Sequence, residues 1–284
     1  MTSNSSSITQ HLEVLSRTAE PDAQPRTGFA VMISMVSWLD ELLGSILTKA
    51  CLRKLEGAQA GLLEVLQHDD DVRDGQSKAN PHTANASLGD LRRSLETVVP
   101  AGSPFWTALD HLERGQEASA LWEDNHRGRS LPFDDALIRA LAGKGALLRW
   151  PAWALPEIAG QSERAAALDA LSERFLGVTI LFDDLHDFEE DWERGQVNAV
   201  LCAGGVHCRE PVHFYGSSAL GARLVCKKAH DELLQIAAEA PGSGLSRFCL
   251  YRASRCKSIA AVIIECCRVR SLDHVLRQVL KPTI

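Results

Sequence analysis

Hydrophobic residues recur three and four positions apart over most of the chain, and the alternating runs typical of strands are scarce. This spacing predicts an all-α protein. The predicted helical segments are 28–55 (one helix or a broken pair), 57–71, 88–99, 105–125, 133–158 with an interruption at Pro151, 163–195, 219–240, 245–270 and 272–280. The Ser-, Asn- and Pro-rich stretch 74–87 predicts a loop, and 204–218 reads as irregular.

The links between these segments are short, so we expect a single-domain bundle of long, mostly antiparallel helices around a central cavity. That domain spans residues 27–284. The polar, serine-rich residues 1–26 predict a disordered N-terminal tail.

Composition narrows the classes of function. The formal net charge is −7, and the absence of a long Lys/Arg block argues against nucleic-acid binding. No apolar run approaches the ~20 residues that cross a bilayer, and the N-terminus does not resemble a secretory signal. We therefore expect a cytoplasmic protein whose eight cysteines, which show no zinc spacing, are thiols.

The segment LFDDLHDFEEDWERGQVN, residues 181–198, is the most unusual in the chain. It carries seven carboxylates, six of them in the nine residues from Asp183 to Asp191, directly behind an apolar run. Asp183, Asp187 and Asp191 follow one another at intervals of four, so they share one face of a helix, where like charges repel. Either this face is solvated with Arg194 as its partner, or a hard divalent cation such as Mg²⁺ offsets the charge.

This segment resembles the second metal-binding motif of the class I isoprenoid synthases, an all-helical family that includes prenyl diphosphate synthases, squalene and phytoene synthases and terpene cyclases. The pattern DDxxD with a further Asp falls on Asp183, Asp184, Asp187 and Asp191. The cyclase pattern (N/D)DxxSxxxE falls on Asp183, Asp187 and Asp191, with Asp in place of both its Ser and its Glu. The tail EDWERGQVN looks more like the cyclase and squalene/phytoene branches.

Upstream residues extend the resemblance. The segment KGALL, which begins at Lys144, is similar to the KTAxL segment of prenyl synthases, whose lysine contacts diphosphate. Arg194, directly after the acidic segment, is a second candidate for diphosphate binding. The Gln that elongating synthases carry before the second motif is replaced by Ile180, which argues against chain elongation.

The family carries a first metal motif on a facing helix. HDDDVRDG supplies a DDxxD in Asp70, Asp71 and Asp74, at a predicted helix end followed by a loop. Asp40 and Glu41 are the rival position. The Arg-Arg-Gly segment that follows the first motif in elongating synthases is absent here.

The resemblance implies a Mg²⁺-dependent terpenoid synthase with three metal ions, which ionises a prenyl diphosphate and cyclises or rearranges the allylic cation. Asp70, Asp71, Asp183 and Asp187 would be its catalytic acids. The alternatives are a prenyl diphosphate synthase and a catalytically inactive helical homologue, and a homodimer stays open as the assembly. Further candidates for diphosphate binding are Arg149, Arg252, Arg255, Arg268 and Arg270, and for cation stabilisation Trp38, Trp150, Trp153, Phe175 and Phe182.

Overall fold

The computed structural model describes residues 28–73, 89, 91–207 and 211–279. The regular structure of these residues is helical and contains no strand, which confirms the all-α prediction. In chain order the helices are α1 Gly28–Leu43, α2 Lys49–Arg73, α3 Phe105–His126, α4 Asp135–Ala142, α5 Trp150–Ala159, α6 Ala165–Arg194, α7 Ala199–Gly204, α8 Pro211–Glu239 and α9 Gly244–Val279. Residues 91–96 are also helical, and 3-10 helices occupy Gly143–Arg149 and Ser162–Arg164.

The predicted tail 1–26 and the predicted loop 74–87 lie outside the described residues. No helix in the described part of the chain is both long enough and apolar enough to cross a membrane.

Two helix boundaries differ from the prediction. The segment 28–55 is a broken pair, one of the two predicted forms, with a turn in which Gly44 and Ser45 have φ of 100° and 55°. Its second half, however, continues without interruption into the segment predicted as the next helix, and the two together form α2. The break predicted at Pro151 is wrong: this proline lies in the first turn of α5, where a missing N–H leaves no hydrogen bond unmade. The interruption is instead the 3-10 helix, within which Gly145 has a non-helical conformation.

The stretch predicted to be irregular, 204–218, is largely helical. Gly205, with φ of 61°, ends α7, and α8 begins at Pro211. Gly205 therefore marks the end of α7, and Pro211 marks the start of α8.

α6 is the central helix of the bundle and contacts α4, α5, α7 and α8. Its fully buried side chains include Phe175, Leu185 and Phe188. Phe175 packs edge-on against Trp38 of α1, with 5.9 Å between ring centroids, and also contacts Phe248 of α9. Burial of such large side chains, at about 25 cal/mol per Å² of apolar surface, is the main stabilisation of the bundle.

Glycines allow α7 and α8 to cross with their backbones in contact. A Cβ atom on Gly221 would lie 2.0 Å from the carbonyl oxygen of Val200, and one on Gly204 would lie 2.2 Å from that of Ser217. Any larger residue at these positions must push the two helices apart, which fixes α7 against α8.

We expect Gly221→Ala to lower the free energy of unfolding by about 2 kcal/mol or more, because the added methyl overlaps backbone that cannot rotate away. Gly57→Ala is the matched control, since a Cβ there meets nothing within 4 Å, and it should raise stability by about 0.5–1 kcal/mol. Urea unfolding of both variants measures the difference. Equal midpoints for Gly221→Ala and the parent chain would contradict the close crossing.

Candidate functional site

The C-terminal half of α6 carries a stripe of carboxylates that we call the acidic face: Asp183, Asp187 and Asp191. Successive helical residues turn by about 100°, so these three lie within a sector of about 80°. Asp183 and Asp187 are exposed, and Asp191 is half-buried. The acidic face therefore forms one continuous wall, as its spacing predicts.

Two carboxylates of the acidic face, Asp187 and Asp191, hold their protons more tightly than usual. Desolvation by surrounding protein atoms raises the pKa of Asp187 to about 6, and the charge of Asp183 adds to this shift. Burial raises the pKa of Asp191 to about 7, although a hydrogen bond from Asn198 opposes the rise. Burial and the negative charge of neighbouring aspartates therefore outweigh the positive charge of Arg194 at Asp187 and of Lys144 at Asp191.

Asp184 points away from the acidic face into the protein. Its side chain is buried, and its Oδ2 accepts a 2.5 Å hydrogen bond from the backbone N–H of Ala199. Burial raises the pKa of Asp184 well above its ordinary value. Asp184 thus joins α6 to the start of α7.

Asn198 is a buried residue of the site to which the sequence assigned no role. Its Nδ2 donates to Asp191 Oδ2 at 2.7 Å and to the carbonyl of Asp184 at 2.9 Å, while its Oδ1 accepts from Val200 N at 2.8 Å. Asn198 is therefore the N-cap of α7 and also fixes the rotamer of Asp191. Its place directly before an apolar run was the available signal.

Lys144 lies between two glycines, Gly143 and Gly145, at which the 3-10 helix packs closely against neighbouring helices. A Cβ on Gly143 would lie 2.8 Å from Ser119 Cβ of α3, and one on Gly145 would lie 3.1 Å from Leu176 Cδ1 of α6. The two glycines thus bring the 3-10 helix against both neighbours. The charge of Lys144 reaches the acidic face, where it lowers the pKa of Asp191 against the larger effect of burial.

Glu123 of α3 is the second residue that the sequence did not reveal. Its side chain is 9% exposed, and its Oε2 lies 2.8 Å from Lys144 Nζ. Its Oε1 is buried without a hydrogen-bond partner. A buried carboxylate oxygen left unpaired costs about 1–3 kcal/mol, so Glu123 is a further acceptor that water or a cation could satisfy.

Arg194 lies in the last turn of α6 and forms an ion pair with Glu190, one turn earlier. It belongs to the same side of the helix as Asp183 and Asp187. The end of the bundle that carries the acidic face is called the acidic end. The structure brings both predicted diphosphate-binding residues, Arg194 and Lys144, to this end, and each lies close to a carboxylate.

The C-terminal end of α2 points to the same end of the bundle. α2 and α1 form a helical pair in which Glu56 contacts Ser37 and Gln59 Nε2 donates to Met32 O, so they run antiparallel. α1 also runs antiparallel to α6, because its last carbonyls accept from Gln161 and Arg164 just before α6 begins. α2 and α6 therefore run in the same direction.

The predicted first motif lies at that end of α2. Asp70 and Asp71 fall within the helix, although their side chains are outside the description, and Asp74 lies beyond the described residues. Gln59 Nε2 also donates to Leu148 O at 3.0 Å, beside the contact of Gly145 with Leu176. Asp70 is eleven residues after Gln59 on α2, and Asp187 is eleven residues after Leu176 on α6. Each is therefore about 16 Å further along its helix.

Asp40 and Glu41, the rival first motif, have structural roles elsewhere. Asp40 is buried and its Oδ1 accepts from Leu47 N at 3.1 Å, which closes the turn after α1. Glu41 Oε2 accepts from Gly244 N at 2.5 Å, at the start of α9. This end of α1 adjoins the start of α6, and the first residue of α6 is about 27 Å along the helix from Asp183. The structure therefore places Asp40 and Glu41 toward the end of α6 opposite the acidic face.

Four of the remaining arginine candidates form contacts in different parts of the bundle. Arg252 of α9 stacks over the Phe182 ring at 4.2 Å, and Arg270 forms an ion pair with Glu189, so both contact α6. Arg268 forms an exposed pair with Glu265. Arg149 is bound by two carboxylates nearer the other end of α6.

The apolar run before the acidic face packs in the core. Phe175, Leu181 and Phe182 are buried among neighbouring helices, and Trp38 and Trp150 are also core residues. Two cavities, of about 580 and 330 Å³, open at the described surface, and neither is lined by residues 175–182. The smaller one lies beside the α6–α7 turn and includes Asn198.

Within the described residues, no three His, Cys, Asp or Glu side chains converge closely enough to hold a metal ion by themselves. Comparison of the chain with protein-family models, curated proteins and solved structures gives no significant match. Any interpretation of function therefore depends on the residues of the acidic end.

The raised pKa of Asp191 predicts a pH-dependent stability. The folded state binds this proton more tightly than the unfolded state, whose pKa is near 3.8, so the stabilisation is complete below about pH 4 and is lost as pH rises to about 7. We expect the free energy of unfolding of the parent chain, minus that of the Asp191→Asn variant, to fall between pH 5 and 7. Urea unfolding of both proteins across this range measures this difference. A difference that rises or stays constant would contradict the raised pKa of Asp191.

Proposed function

We propose that this protein is a Mg²⁺-dependent enzyme of the class I terpenoid synthase type, which ionises a prenyl diphosphate at the acidic end of its bundle. The acidic face is the observation that carries the proposal: three carboxylates share one face of one helix, and two of them have raised pKa values. A helix gains no stability from such an arrangement. A ligand that brings cations explains it.

The chemistry of the donors fits Mg²⁺. This ion takes oxygen ligands, commonly one or two carboxylates, and completes its octahedron with water and phosphate oxygens. Asp183 and Asp187 are exposed carboxylates that could each donate to such an ion, and Glu123 Oε1 is an acceptor without a partner. We leave Asp184 out of the proposed ligands because its Oδ2 already accepts from Ala199.

The bound metal would supply electrostatic stabilisation of the diphosphate leaving group. Asp183, Asp187 and the acids of α2 would hold it from two walls. Asn198 would keep Asp191 oriented, and Lys144 and Arg194 would add positive charge beside the diphosphate. The carbon–oxygen bond breaks with both electrons going to diphosphate, and the allylic cation then loses a proton or captures water.

Ile180 supports cyclisation over elongation in this proposal. It lies on the same side of α6 as the acidic face, about one turn before it, and is half-buried. An aliphatic side chain there offers apolar surface to a prenyl chain whose diphosphate is held at Asp183. It offers no hydrogen bond to a second diphosphate.

Incubation of the purified protein with Mg²⁺ and C10, C15 or C20 prenyl diphosphates, with and without isopentenyl diphosphate, tests the proposal. We expect cyclic or rearranged hydrocarbons or alcohols from a single substrate, detected by gas chromatography and mass spectrometry, and none with EDTA. Longer diphosphates would indicate an elongating synthase. A folded protein that forms no product would indicate an inactive homologue.

Substitution of the acidic face is the second test. Asp183→Asn and Asp187→Asn should each lower kcat/KM by about 100-fold or more, since several kcal/mol of leaving-group stabilisation is removed. Glu193→Gln is the matched control, because this exposed acid lies on the same helix but outside the acidic face. Activity retained in both Asp variants would refute the assigned site.

A further inference from the structure

The larger cavity, of about 580 Å³, is a groove between α3, the 3-10 helix and α5, which we call the α3 groove. Its volume falls in the range of small-molecule sites, about 300–1,000 Å³. Small residues leave this space open, since a Cβ on Gly115 would meet nothing nearer than Ala146 Cβ at 3.9 Å. The apolar lining comprises Pro104, Ala108, Leu112, Gly115, Ala146 and Trp153.

The charged groups of the lining cancel each other. Arg149 and Asp169 form a bidentate pair, with distances of 2.8 and 2.6 Å, and Glu173 holds the same guanidinium at 3.0 Å. The guanidinium fork is thus fully engaged on its carboxylate side. The cation that lines the α3 groove, Arg149, is therefore already paired with carboxylates, which separates the groove chemically from the acidic end.

Two polar side chains at the rim of the α3 groove can form hydrogen bonds with a ligand. Arg114 Nη2 lies 3.1 Å from His111 Nδ1, and because a guanidinium only donates, Nδ1 accepts and Nε2 carries the hydrogen. His111 Nε2 can therefore donate a hydrogen bond to a ligand in this geometry. The hydroxyl of Thr107, one turn away on the same exposed side of α3, both donates and accepts.

We propose that the α3 groove is a second ligand site, which binds an uncharged amphiphile with an aliphatic body and one hydroxyl or carbonyl group. The body would pack on Trp153 and the small residues, and the polar group would bond to His111 or Thr107. Asp169, which lines the groove, is 14 residues before Asp183 on α6, about 21 Å along the helix, and none of the acidic-face residues lines the groove. It does not depend on the proposed function.

Calorimetric titration with decan-1-ol, decanoate and decylammonium tests the proposal on the full chain. We expect saturable one-to-one binding of the alcohol and at least tenfold weaker binding of both charged analogues. Gly115→Phe, which fills the groove, should weaken alcohol binding by at least tenfold. Gly57→Phe is the control: it adds the same side chain to an open position on α2 and should leave the affinity unchanged.

Thr107→Trp, at the exposed rim, gives the same readout if Gly115→Phe does not fold. Absence of saturable alcohol binding, equal binding of the three compounds, or undiminished binding in the filled variants would each overturn the proposal.

Discussion

The negative charge near the C-terminal end of α6 is the constraint on which the rest of the structure depends. Three carboxylates four residues apart repel one another, and near the C-terminal end of a helix they also oppose its dipole. The charges of Arg194 and Lys144 lower the pKa values of Asp187 and Asp191, but burial raises them by more. Lys144 approaches the acidic face, but its ammonium lies 2.8 Å from Glu123, whose other oxygen is still without a partner.

The surrounding helices make this arrangement rigid. Asn198 holds Asp191 and caps α7, Asp184 accepts from the first N–H of α7, and the glycine contacts of α7 fix that helix against α8. A carboxylate whose rotamer is fixed before a ligand arrives loses little entropy on binding. Such preorganisation is what a site for cations and an anionic ligand requires.

The sequence predicted the features that follow from helical spacing. The extent of α6 and the shared face of Asp183, Asp187 and Asp191 are direct consequences of 3.6-residue periodicity. Spacing could not show that Asp184 turns inward or that Asp40 closes a turn, because those depend on which helix packs beside each residue. Glu123 could not be identified for the same reason, since only the 3-10 helix that carries Lys144 makes it part of the site.

The most direct test of the central claim is a calorimetric titration of inorganic pyrophosphate into the parent chain and the Asp187→Asn variant, each with and without Mg²⁺. We predict that the parent chain binds pyrophosphate only when Mg²⁺ is present and that the Asp187→Asn variant loses this binding. Binding that needs no Mg²⁺, or that survives unchanged in the variant, would contradict it.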